Sequence, residues 1–470
     1  MSGVNSKKMF YRLRSLKTIF EYKELENQEI YFASLDELND PMEGFRNIVF
    51  RGDKIVWRNL LRHYLKCLNW ACMINCASNG NYDFLGDSRF PLYECIEDFP
   101  DSFYERHFGE NYQIFIQAFN RVMDKLSTKI TVTRNEISYY LEQIHCIAYR
   151  IMENNYVANR DYNYSEEELI KNANKIIEVI EKHENLKNKK LKIGLPEFLD
   201  TIKNIQKSLQ LNFLNINAKL INQFFIDFNF VNFYLQRLEK LMYPECYVAC
   251  FMEEANNSSV WGHYGDGHRG ICLVFETDDD GFLELCGRKY YGEEECYKYN
   301  FQKVTYGNSY NETNFFETIG RMTMPKLISN WYEDEQGNKS PILDKILQDG
   351  DNRLSQYWNN TYKDLLTKTK DWCYEKEYRI IKYSPLNDEI NKENRKLKYH
   401  FKNLHGIIFG MRTSLQDKTK IINIIKQKCK NEKRKDFNFY QAYYCQKDEQ
   451  IKHSSLDVSL LDFSLPDIMI

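Results

Sequence analysis

Three short stretches concentrate the side chains able to do chemistry. The first is Ser34-Leu35-Asp36-Glu37-Leu38-Asn39-Asp40-Pro41-Met42-Glu43-Gly44. Pro41 forces Asp40 out of the helical region, and Asn39 and Asp40 can bond nearby backbone to fix a turn. The stretch is a stiffened strand-to-helix connection, and it can also present Ser34 and Glu43 to a cleft. The second, Val260-Trp261-Gly262-His263-Tyr264-Gly265-Asp266-Gly267-His268-Arg269-Gly270, sets two flat aromatic faces and two histidines among four glycines. Glycine allows close backbone approach and unusual dihedrals. The third runs from Lys368 to Ile381 and contains Glu375-Lys376-Glu377-Tyr378-Arg379. Strand alternation puts Glu375, Glu377 and Arg379 on one face. That face reads either as a solvated edge or as a self-satisfying ion pair beside a cleft, with an exposed pair worth only about 0–1 kcal/mol.

Two kinds of reaction suit these residues. Asp40, Glu43, His263, His268, Glu375 and Glu377 are the types that hold a divalent metal in nucleases and hydrolases, but no two form a familiar local metal pair. The glycines of the second stretch fit neither a Walker loop nor a dinucleotide fingerprint. The other reaction is glycosyl transfer, in which a fixed carboxylate stabilises positive charge on a sugar.

The elements that must position these residues follow from periodicity. Glu29–Ser34, Cys246–Met252, Gly270–Phe275, Tyr378–Ile381 and His405–Gly410 read as strands, the third buried on both faces. A last pair around Phe437–Tyr444 closes the sheet. Between the first strand and the rest, Ser165-Glu166-Glu167-Glu168 is a capping box, followed by Leu169, Ile170, Ala173, Ile176, Ile177 and Ile180 at helical spacing. Gly194 and Pro196 mark a stop and restart before a second helical stretch, Phe198 to Leu220. Lys187-Asn188-Lys189-Lys190 reads as a solvated turn. The expectation is an α+β fold: a mixed or antiparallel sheet domain built from residues 1–52 and 243–470, with a mainly helical insertion over 53–242.

The motif order "IYFASLDELNDPMEG", "CFMEEANNSSVWGHYGDGHRGICLVFE", "WCYEKEYRII" and "HGIIFGMR" resembles the bacterial domain of unknown function twenty-nine seventy-one, over about Phe10–Phe45 and Tyr243–Arg412. The helical insertion is expanded relative to that pattern. A remoter resemblance is to ADP-ribosyltransferases of the Arg-Ser-Glu type. It implies that Tyr11, Arg12 and Ser34 bind NAD, and the flat rings of Trp261 or Tyr264 are suited to stack on nicotinamide or a target base. It also implies that Glu377 is catalytic, with Glu375 helping to position the acceptor; His263 and His268 are catalytic candidates on their residue type alone. A nucleic-acid or protein acceptor and a role in phage defence or as a toxin module follow from the same resemblance. The alternatives are a metal-dependent nuclease or hydrolase, or a non-enzymatic protein whose insertion binds a partner.

Composition bounds the rest. With 43% hydrophobic residues the chain has ample core material, and a net charge of −3 argues against a generic polyanion binder. Thirteen scattered cysteines contain no C-x-x-C pair, so the expectation is reduced, buried thiols and no metal site. No apolar run reaches the roughly 20 residues that span a bilayer, and the first residues lack a signal-peptide core. The reading is therefore a cytoplasmic protein.

Overall fold

The computed structural model describes residues 7–84, 112–156, 164–188, 225–288, 294–307, 312–348, 350–384 and 391–458, with scattered positions between them. Gly194, Pro196, Lys189, Lys190 and most of the stretch from Phe198 to Leu220 lie outside the described residues. The fold is α+β, with mixed and antiparallel sheets. The chain divides into two compact units.

The helical unit comprises Arg46–Tyr243 and Asn311–Asn359. Its helices include Lys54–Ala77, Tyr112–Ser127, Arg134–Tyr156, Glu166–Asn188 and Phe230–Met242. Asp53 opens the first by accepting from the Ile55 amide at 2.8 Å. Ser165 and Glu168 form the reciprocal box at the fourth, with bonds of 2.9 and 3.2 Å. Leu169, Ala173, Ile176 and Ile180 then face the core. Asn311–Asn359 departs from the sequence reading, which gave it to the sheet domain. Its strand Glu312–Asn314 pairs in parallel with Asn47–Phe50, and Phe315, Phe316 and Trp331 pack against Phe50, Trp57 and His63. Aromatic burial, not chain order, assigns this segment.

The sheet unit comprises Met1–Phe45, Pro244–Tyr310 and Asn360–Ile470. Its main sheet has nine described strands: β1 (Met9–Arg14), β2 (Ala33–Ser34), β3 (Glu245–Met252), β4 (Ile271–Glu276), β5 (Gln302–Lys303), β6 (Glu377–Ser384), β7 (Leu404–Phe409), β8 (Asn438–Cys445) and β9 (Gln450–Leu456). The order is β5-β6-β3-β1-β4-β7-β8-β9, and β2 also pairs with β3. Only β7 and β8 run parallel, joined through the helix Leu415–Asn431, as a parallel pair requires a crossover. Ile271–Phe275 of β4 are buried on both faces, which explains their nearly unbroken apolar run.

One face of the sheet carries Phe10, Phe251, Phe275 and Ile380 against a second antiparallel sheet through Leu283, Leu285, Leu397 and Tyr399. The other face carries Met252, Cys272, Val274 and Ile408 with Trp261, and beside them Val248, Ile381 and Leu365. Among the described residues no helix is long and apolar enough to cross a membrane.

The cysteines depart from the reading of uniformly reduced, buried thiols. Cys286 and Cys296 form a disulfide, while Cys76, Cys146 and Cys373 are exposed.

Candidate active site

The three chemically dense stretches meet on one face of β6 and β3. Glu377 opposes Met252 and Arg379 opposes Cys250 across the antiparallel pair, so all four side chains share a face. Glu375 is not on the strand. It ends a 3-10 turn over Lys370–Glu375, and Lys376 takes a left-handed φ of 46° before β6 begins. That turn brings Glu375 and Glu377 to the same side by a route other than simple alternation. Lys368 arrives on the short strand Thr367–Lys368, paired in parallel with Thr305–Tyr306. Glu43 arrives on the Asp40-Pro41 turn, where Asp40 accepts from the Met42 amide at 2.9 Å.

Together they form a buried ionic network. The Lys368 ammonium donates to Glu375 at 2.7 Å and to Glu377 at 3.2 Å, and lies 3.0 Å from Glu43. Arg379 donates to Glu377 through Nε at 2.7 Å, to Glu43 through Nη2, and to the Leu365 carbonyl at 2.7 Å. The Tyr306 hydroxyl accepts the Glu377 amide at 2.7 Å. The Tyr264 hydroxyl donates to Glu375 at 2.8 Å and accepts from the Asn39 side chain at 2.8 Å. Asn39 is exposed, and Tyr264 and Trp372 are half-buried. The Trp372 ring covers the Lys368 ammonium at 4.7 Å, and His263 stands beside Trp372.

The two acidic side chains are pushed apart. Burial raises Glu375, and the opposing pull of Lys368 does not cancel it. Burial also works to raise Glu377, but the charge and hydrogen bonds of Arg379, with Lys368, hold it well below the usual range. Lys368 is kept charged, since three carboxylates outweigh its desolvation. Burial raises the Cys250 thiol, with Glu377 adding to the effect, so it remains protonated. Three carboxylates share two cations. Of the two neighbouring carboxylates, burial raises Glu375 while Arg379 and Lys368 lower Glu377. An ammonium and a guanidinium already occupy the positions where a metal would bind these carboxylates.

The other residues singled out in the sequence fall in different places. Trp261 is fully buried and donates to the Ala255 carbonyl at 2.9 Å, so it is core. His268 stacks on Trp261, and its carbonyl accepts from the Arg412 amide. It follows Asp266 and Gly267 in a run of three left-handed residues, of which only Gly267 adopts that region without steric cost. His263 is exposed on the rim. Tyr11 opposes Met252 and so shares the Glu377 face, where it lines a small cavity with Glu254 and His453.

Arg12 and Ser34 lie on the opposite face. Arg12 neighbours Tyr11 on β1, covers the Phe251 ring, and donates to the Cys250 and Tyr31 carbonyls. Ser34 opposes Tyr247. The sheet itself therefore separates Arg12 and Ser34 from Glu377, and one ligand cannot touch all three side chains. Period-2 alternation decides this, because a shift of one residue moves a side chain to the other face. Lys368 and Tyr306 are not singled out as site residues in the sequence, Asn39 reads there only as a turn former and Glu43 as a cleft or metal residue, whereas the pairing of Glu377 with Arg379 is among the readings of that face. No local spacing links Lys368 to Glu43.

Residues 260–380 match the model of a family described as Protein of unknown function (DUF2971). The match covers Tyr264, Lys368, Glu375, Glu377 and Arg379, and leaves Glu43 outside. It supports the family resemblance and carries no information on ADP-ribosyl transfer. No curated protein and no solved structure matches the chain.

Proposed function

We propose that the chain is an enzyme that cleaves or transfers at a glycosidic bond of a nucleotide, with NAD as the first substrate to test. The observation that carries this is the split between two adjacent carboxylates: Glu375, raised and bonded to Tyr264, beside Glu377, ionised and fixed by Arg379. Two carboxyl groups whose surroundings push their pKa values apart are the arrangement that glycosidic cleavage uses. In this reading Glu375 and Tyr264 face the leaving group and move its proton. Glu377 supplies fixed negative charge for the developing oxocarbenium ion. Trp372 and Tyr264 offer flat faces for a base. Glu43, Lys368 and Arg379 are positioning residues, and Arg12 and Ser34 have no part in the site.

The test is nicotinamide release by wild type and by Glu375→Gln, alongside the thermal stability of each. Catalysis predicts a loss of about a hundredfold or more with stability nearly unchanged. No release by wild type from NAD, with nucleic-acid and protein acceptors supplied, overturns the NAD reading.

A second reading, that the network is structural and the protein a non-enzymatic binder, is favoured by one observation. The side chains of Lys368 and Glu375 are 1% and 0% exposed. It predicts that Glu375→Gln changes stability and no activity.

A further inference from the structure

A second cluster of chemically competent side chains lies on the other sheet of the same unit. We propose that Cys286, Cys296 and His400, with Glu284, form a zinc site that assembles when the Cys286–Cys296 disulfide is reduced. Cys286 and Cys296 directly oppose one another in the hairpin formed by Phe282–Arg288 and Glu294–Asn300. The strand Lys396–Tyr399 pairs with the other edge of Phe282–Arg288, and His400 follows it immediately. The His400 Nε2 atom stands 3.8 Å from the Cys286 sulfur and 3.0 Å from a Glu284 oxygen. The ligating atoms of Cys286, Cys296 and His400 all lie within 4.8 Å of one another.

Three features make this a site and not a chance cross-link. The donors come from three hydrogen-bonded strands, so their backbone positions are fixed before any ion arrives. Leu283 and Leu285 turn to the core, so Glu284 and Cys286 point to the other face by alternation, where Cys286 is buried, Cys296 exposed and His400 partly exposed. The side chains of His400 and Glu284 are about two-fifths exposed, 42% and 40%, so an ion can enter from solvent. Two thiolates, an imidazole and a carboxylate form the soft-to-borderline set that zinc takes tetrahedrally. Zn–S bonds of about 2.3 Å place two sulfurs within about 4 Å of each other, a separation that an opposed strand pair can supply once the S–S bond is broken.

The chemistry balances with a dithiol as reductant. Two electrons and two protons pass from the dithiol to the Cys286–Cys296 bond. The dithiol becomes a disulfide, and the chain gains two thiols. Zinc then displaces those two protons as it binds the thiolates. A small-molecule disulfide reverses this: the two thiolates pass two electrons to it, it takes up two protons from solvent to become a dithiol, the Cys286–Cys296 bond re-forms and the ion leaves. The sequence conceals the set, because nine residues separate the cysteines and His400 is remote from both.

The experiment uses the full-length chain, reduced and then competed for zinc against a chromophoric chelator, with cobalt as a spectroscopic substitute. Reduced wild type is expected to hold one zinc that Cys286→Ser/Cys296→Ser lacks. Oxidation should release it, and the cobalt form should show thiolate-to-metal charge transfer. His400→Ala, at a partly exposed position, should lower affinity tenfold or more without altering thermal stability. The proposal is overturned if reduced wild type binds no more zinc than the double serine variant. It is equally overturned if mass spectrometry shows that the disulfide of the folded chain resists reduction, which makes it a structural cross-link only.

Discussion

The helical and sheet units bury polar groups in opposite ways. In the helical unit several buried or half-buried polar contacts are between neutral partners. His63 meets the Tyr234 hydroxyl at 2.8 Å, His145 meets Tyr64 at 2.7 Å, and Tyr140 meets His183 at 3.1 Å. Burial lowers His63 to about 3 and His145 to about 4, so both rings are uncharged near neutrality. Ion pairs occur there too: Lys129–Glu136 is buried, Lys125 meets Glu181 and Glu184, and Glu239 meets Arg46 and Arg134. The sheet unit instead buries two cations and three carboxylates in one connected network. Desolvating a charge costs several kcal/mol, and a well-packed apolar replacement is often no less stable. The helical unit neutralises its buried histidines and pairs Lys129 with Glu136. The sheet unit accepts it and offsets it by pairing. Buried, strongly perturbed carboxylates of this kind are the stronger pointer to function.

The largest test of this contrast removes one charge from the network. Arg379→Met should destabilise the sheet unit by about 3–5 kcal/mol, because Glu43 and Glu377 are left without their guanidinium. Hydrogen exchange read on β3 and β6 peptides checks it, with peptides of the Lys54–Ala77 helix as an unaffected reference. Equal loss of protection in both places would show that the two units do not unfold separately.

Acid should separate the units next. Folded His63 and His145 lie below their unfolded value near 6.5, so the unfolded chain takes up the proton first. Their contribution is complete above about pH 6.5 and falls as pH drops toward 4, by about 1.4 kcal/mol per pH unit for each histidine. Glu377, also lowered, loses its contribution only as pH falls below the ordinary carboxylate range near 4.3. Glu375, being raised, works in the opposite direction and favours folding as pH falls. Between pH 6.5 and 5 the helical unit should lose exchange protection while β3 and β6 keep theirs. Parallel loss would contradict the neutral-histidine account.

The smallest effect belongs to a partly exposed pair. Arg58 holds Asp124 with its Nε at 2.8 Å, yet the two side chains are 39% and 24% exposed. Solvent screening limits such a pair, and Asp124→Asn should cost less than about 1 kcal/mol by denaturant titration. A loss approaching that of Arg379→Met would mean that burial is not what sets the network apart.

Local periodicity is sufficient to read the α+β class, the capping box at Ser165–Glu168, the doubly buried strand at Ile271–Phe275, and the shared face of Glu377 and Arg379. Each depends on neighbours within a few residues, where helix and strand geometry is fixed. The meeting of Asn39 and Tyr264, and that of Lys368 with Glu43, Glu375 and Glu377, depends on strand order and turns that no spacing encodes. The face opposite Glu377 on which Arg12 and Ser34 lie is set by register, since one residue of shift exchanges the faces. The Cys286–Cys296–His400 cluster is likewise a product of three adjacent strands. Sequence determined which residues could be charged, flat or thiol-bearing. Tertiary structure decided which of them share a low-dielectric environment, and that environment shifts Glu375 and Glu377 in the opposite directions on which the proposed chemistry rests.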